Sequence, residues 1–76
     1  MKIVDVWNQN NDVFAYCIGD AINHNFSCKE ISIDGATFAV AAFDILTALN
    51  GSISAVLKIS GRSAKEIPHG QFNIVN

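Results

Sequence analysis

The chain has 76 residues, half of them apolar, which suits one small domain with a continuous core and excludes intrinsic disorder. Charged residues make up 16% and the formal net charge is -2, so no basic surface is available to neutralise nucleic-acid phosphates. The longest nearly apolar run, residues 13–22, is interrupted by Gly19 and Asp20 far short of a membrane span.

Residues 2–7 alternate Ile3, Asp5 and Trp7 against Lys2, Val4 and Val6, the period of a strand with one better-buried face. The asparagine-rich stretch at 8–11 breaks it, and Asn11 or Asp12 is suited to cap a following helix. Over residues 13–25, Phe14, Ile18, Ala21 and Ile22 recur at spacings of three and four, which predicts a first helix, with Phe26 just beyond it. Residues 29–33 alternate again, Asp34-Gly35 is a two-residue hairpin signal, and residues 37–40 form the returning strand.

Residues 41–49 read as a second helix, with Ala42, Ile45, Leu46 and Leu49 as its core stripe and Phe43 turned away. Asn50-Gly51 ends it, because either residue takes the left-handed conformation of a helix terminus. Residues 52–59 alternate as a fourth strand. The last segment, 61–76, is an irregular tail in which Pro68 and Gly70 stop any helix and residues 71–75 suit a short strand. No repeat, linker or low-complexity tract divides the chain, so residues 1–76 are expected to form a single domain.

The run from Ile31 to Leu49, ISIDGATFAVAAFDILTAL, resembles the second hairpin and second helix of the histidine-containing phosphocarrier protein HPr of the phosphotransferase system. The resemblance extends over about residues 2–60 and rests on Phe26, Ile31, Ile33, Gly35, Leu46 and Leu49. It implies an α+β open-faced sandwich, in which a mainly antiparallel four-stranded sheet carries two helices on one face. A full third helix has no counterpart. The expected core is Ile3, Phe14, Ile18, Ile22, Phe26, Ile31, Ile33, Ile45, Leu46, Leu49 and Val56.

The chemistry of that family is not carried over. Asn11-Asp12-Val13-Phe14-Ala15 stands where the family has its His-Ala-Arg-Pro-Ala signature, and Ala41 and Ala42 stand where regulated members have a serine. His24 falls at the C-terminal end of the first predicted helix, where the helix dipole disfavours a phosphoryl group, and His69 lies in a loop. Cys17 and Cys28 have neither the C-x-x-C spacing nor the density of a secreted disulfide scaffold, and with His24 they supply too few ligands for zinc. The serines have no base at a supporting motif.

A shortened HPr-like module is therefore expected to be neither an enzyme nor a cofactor or metal binder. Its expected role is to bind a protein partner, or itself, but not nucleic acid or a membrane. The resemblance places the docking surface on Phe43 and Thr47 of the second helix together with Asn10, Asn11 and Asp12. The alternatives are a phosphocarrier using a displaced histidine and an unrelated small ligand-binding or immunity-type α/β domain. The N-terminus lacks the basic, apolar and small-residue segments of a secretory signal, which makes the cytoplasm the expected compartment.

Overall fold

The computed structural model describes residues 1–75 and shows an almost purely β protein. Five principal strands, β1 (Lys2–Gln9), β2 (Asp12–Ile18), β3 (Glu30–Ile33), β4 (Ala36–Thr47) and β5 (Ile53–Ile59), are followed by a single 3-10 turn at Ala64–Glu66. Two short strands, β6 (Gly70–Gln71) and β7 (Asn73–Ile74), complete the chain. The seven strands run in the spatial order β6-β1-β2-β5-β4-β3-β7, and every pairing is antiparallel.

The expected α+β sandwich with two helices is thereby corrected, and with it the HPr architecture. Both segments read as helices are strands. In β2 the inward residues Val13, Ala15 and Cys17 alternate with the equally apolar Phe14, Tyr16 and Ile18, so the sequence loses its period of two. Phe14 and Ile18, four apart, then imitate a helical stripe.

In β4 a bulge intervenes between Val40 and Ala42, and the inward positions become Phe38, Val40, Phe43 and Ile45. The extra residue converts one spacing of two into three, which reads as a helix turn. The bulge also lets β4 change partners. Its first part, residues 36–39, pairs with β3, and its second part, residues 40–47, pairs with β5. A strand that crosses between sheet regions at a bulge turns a barrel corner.

The turns are local in origin. Asn10 and Asn11 both have positive φ (53° and 69°) and connect Gln9 directly to its pairing partner Asp12, so the asparagine pair makes a tight β-hairpin rather than a helix cap. Asp34 (φ 50°) and Gly35 (φ 83°) do the same between β3 and β4, as expected. Where the first helix was expected to continue, the connection 19–29 is built from tight turns closed by Ile22 N–H to Gly19 O (3.0 Å) and Phe26 N–H to Asn23 O (2.9 Å). It sends Ile22, Phe26 and Cys28 into the core.

The tail closes the fold. β6 pairs with Lys2 and Ile3 at one edge of the sheet, and β7 pairs with Ile31 and Ser32 at the other. Between them lies one residue, the buried Phe72, whose N–H donates to Met1 O at 3.0 Å. Val75 N–H donates to Glu30 O at 2.8 Å. The result is a nearly closed barrel whose two edges are held by one clasp. Its core is Ile3, Val13, Ala15, Cys17, Ile31, Ile33, Phe38, Ala55, Leu57, Ile59, Ile67 and Phe72, with the three residues of the 19–29 connection.

Of the expected core, Ile3, Ile22, Phe26, Ile31 and Ile33 are buried and Ile45 is half-buried. Phe14, Ile18, Leu46, Leu49 and Val56 are not in it. The strand at 52–59 is present, but its inward residues are Ala55, Leu57 and Ile59, one position out of step with Val56.

Candidate functional site

The pairing registers align the outward residues of the four central strands into rows. One row runs Trp7, Phe14, Lys58, Ala42; the next runs Asp5, Tyr16, Val56, Asp44. Trp7 and Phe14 face each other directly across the first hairpin and stack, with ring centroids 5.8 Å apart and planes inclined by 22°. Tyr16 and Val56 are likewise cross-strand partners. Ile18 and Leu46 extend the apolar surface toward one end and are 39% and 43% exposed.

An antiparallel sheet with one solvated face ordinarily alternates apolar inside with polar outside. β2 does not. All three of its outward apolar side chains, Phe14, Tyr16 and Ile18, lie on the surface side, and the charges stand around them. Asp12 meets Lys58 across the sheet at 3.6 Å in a half-exposed ion pair, while Asp5 and Asp44 flank the Tyr16–Val56 row on either side. Aromatic centre and charged margin together have the composition of a protein–protein contact patch.

Clefts adjoin both ends of this face. One, of about 770 Å³, lies among Tyr16, Ile18, Asp20, Ser52, Ser54 and Met1. The other, of about 570 Å³, lies among Asn11, Asp12, Lys58, Arg62, Ser63 and Glu66. Within the second, Ser63 N–H donates to Glu66 Oε2 at 2.7 Å, and the Arg62 guanidinium lies 5.1 Å from the centre of the Phe38 ring, so its carboxylate and its guanidinium already have partners.

The residues expected to dock a partner are not gathered into one surface. Phe43 points inward and meets Phe26 edge to face at 5.5 Å. Thr47 is paired with Ile53 at one end of β5, whereas Val13, next to Asp12, is paired with Ile59 at the other end. Six residues of strand, about 20 Å, separate those levels. Asn10 and Asn11 are exposed in the hairpin turn, and Asp12 stands at the margin of the aromatic face through its contact with Lys58.

Sequence reasoning missed Trp7, Phe14, Tyr16 and Val56 as a surface. A signal was present, because Trp7 and Phe14 are equidistant from Asn10-Asn11 and a two-residue hairpin there makes them direct neighbours.

The two thiols are unsuited to nucleophilic chemistry. Burial, reinforced by the neighbouring Cys28, pushes the Cys17 thiol up to about 12, and its Sγ lies 3.4 Å from Ala55 O. Burial also raises the Cys28 thiol, opposed by a backbone hydrogen bond from Glu30. Both cysteines are free, and the described residues contain no group of three or more His, Cys, Asp or Glu side chains able to hold a metal. His24 and His69 are exposed, in a turn and in the tail. Among the described residues no helix is long and apolar enough to cross a membrane.

Comparison with protein-family models, with curated proteins and with solved structures gives no match.

Proposed function

We propose that this protein is a non-catalytic, cytoplasmic protein-binding module, and that its partner docks on the outward face of β1, β2 and β5. One observation carries this reading: the stacked Trp7–Phe14 pair continues into Tyr16 and Val56 on the solvent side of a sheet whose inner side already has a complete core. Large aromatic side chains with few rotatable bonds are the anchors that contribute most to a contact, and a margin of Asp5, Asp44 and the Asp12–Lys58 pair supplies orientation. The buried, high-pKa thiol of Cys17 supports a role without thiolate chemistry.

The test compares proteins captured from the native cell by the unmodified chain and by a Phe14→Ser, Tyr16→Ser double variant shown by its melting transition to remain folded. Loss of a reproducibly captured partner from the variant, recovered by direct binding of the purified pair, is the expected result. An unchanged set of captured partners overturns the reading.

A further inference from the structure

We infer that the partner docked on the outward face is a basic, extended protein segment, with an apolar residue over Tyr16 and Val56 and a cationic side chain at each flank, one at Asp5 and one at Asp44. This rests on the docking reading above and adds the chemistry of what docks. Of the other charged side chains on that face, Lys58 is matched by Asp12 at 3.6 Å, and Lys2 stands one row beyond Tyr16, opposite Ile18. Asp5 and Asp44 are exposed and, among the described residues, neither is in an ion pair. Asp5 Oδ1 accepts Val6 N–H at 2.9 Å, which holds that carboxylate in place at the surface.

Other occupants fit this charge pattern worse. A nucleic acid or an anionic lipid surface brings negative charge to two uncompensated carboxylates, on a chain whose net charge is -2. A second copy laid face to face brings the same two carboxylates again, and juxtaposed like charges oppose association.

The register of the strands sets the spacing. Asp5, Tyr16, Val56 and Asp44 lie side by side on β1, β2, β5 and β4, so three strand spacings, about 14 Å, separate the two acidic positions. An extended chain rises about 3.3 Å per residue and covers that distance in about four residues. Side chains of an extended segment alternate with a period of two, so both cations and the residue midway between them point to the same side. That middle residue meets Tyr16 and Val56. The outside of a barrel is convex, which an extended segment follows and a straight helix does not.

The two flanks are not equivalent. Asp5 and Trp7 are two residues apart on the outward side of β1, so a guanidinium at Asp5 lies beside an indole and gains a cation–π contact. The outward neighbours of Asp44 on its own strand are Ala42 and Leu46. Arginine is therefore preferred at the Asp5 end, and either cation serves at the Asp44 end.

A phage-displayed library of random linear peptides, selected on the intact protein, tests the inference. Selected peptides are expected to carry the order cation, any residue, apolar residue, any residue, cation, with arginine at one fixed end. Selection on Asp5→Asn should lose the preference at that end, and selection on Asp44→Asn the preference at the other. With a synthetic peptide of the selected sequence, each neutralisation should weaken binding about two- to fivefold. Binding to the unmodified chain should also weaken as sodium chloride is raised, and that measurement decides if either variant fails to fold. Peptides that require Phe14 and Tyr16 but show no excess of cations, or whose affinity ignores salt, overturn this inference and leave the docking reading standing. A library that yields no binder, or peptides that bind the Phe14→Ser, Tyr16→Ser variant equally well, overturns it too, and the capture comparison then decides the docking reading separately.

Discussion

The two faces of β2 are both apolar, yet they differ in size and in what surrounds them. Inward are Val13, Ala15 and Cys17, all buried; outward are Phe14, Tyr16 and Ile18, all at least partly in contact with solvent. The bulkier set is outside because a small barrel has little room near its axis. Ala15 sits opposite Leu57, so a small residue makes space for a large one, while Cys17 and Ala55, opposite each other, are both small. Hydrophobicity does not assign a face here; volume does. The larger set is left at the surface, where the proposed partner would dock.

The strongest way to break this comparison is at the inner face. Leu57 is fully buried, and Leu57→Ala should cost about 2–5 kcal/mol in urea denaturation, from lost transfer energy and the cavity left behind. A loss under about 1 kcal/mol would mean that the interior is not closely packed and that volume cannot be the deciding term. Overfilling should show the same constraint from the other side. Ala15→Leu is expected to destabilise by about 1–3 kcal/mol, because the added atoms must displace Leu57 or the backbone.

The inner face also contains a titration. A thiol raised by burial stays neutral in the folded chain while the unfolded chain ionises. Its stabilising contribution is therefore whole below the ordinary value of 9.0 and is lost as pH climbs from there toward about 12. Across that window Cys17 should contribute a fall of about 1.4 kcal/mol per pH unit. Denaturation midpoints of the unmodified chain and Cys17→Ala, compared between pH 8 and 11, isolate the cysteine from other titrating groups. Parallel pH profiles would show that the thiol is not held in a low-dielectric interior.

The outer face sharpens the comparison through smaller effects. Phe14→Ala removes the stack on Trp7 but opens no enclosed cavity, so its cost should stay near 1 kcal/mol, the scale of an aromatic pair beyond its area burial. A cost equal to that of Leu57→Ala would make the outward aromatics a second core instead of a docking surface. Smallest of all, Leu46→Ala should change stability by no more than about 0.5 kcal/mol. Chemical denaturation alongside Phe43→Ala is the check, since Phe43 packs inward against Phe26 and should be the costlier loss. The helical reading of residues 41–49 demands the reverse order.

How far the sequence was legible follows the same division. β1 and β3 were readable as strands from local alternation, although the bulge after Ile3 parts it from Asp5 and Trp7, which face outward. The Asp34-Gly35 hairpin was readable because its residues tolerate the positive φ the turn requires. β5 was readable as a strand but not as to face, because Ser54, Val56 and Lys58 alternate with Ala55, Leu57 and Ile59 and only the register with β2 decides which set points inward. β2 was hidden by being apolar on both sides, and β4 by a bulge that mixed its period. Of the expected docking residues, Asp12 alone borders the aromatic face, through an ion pair with a residue 46 positions away in sequence.

By itself the sequence determined a small, weakly acidic chain, half apolar, with breaks at its asparagine and glycine positions and a two-residue hairpin at Asp34-Gly35. These depend on composition and on the φ angles single residues adopt, both local properties. Tertiary structure alone decided that residues 12–18 and 36–47 are strands, that Trp7, Phe14, Tyr16 and Val56 share an outer face, and that Phe72 fastens the two edges together. Each of those outcomes depends on which strand lies beside which, and on the limited volume of the barrel they enclose. Neither quantity exists until distant parts of the chain have met.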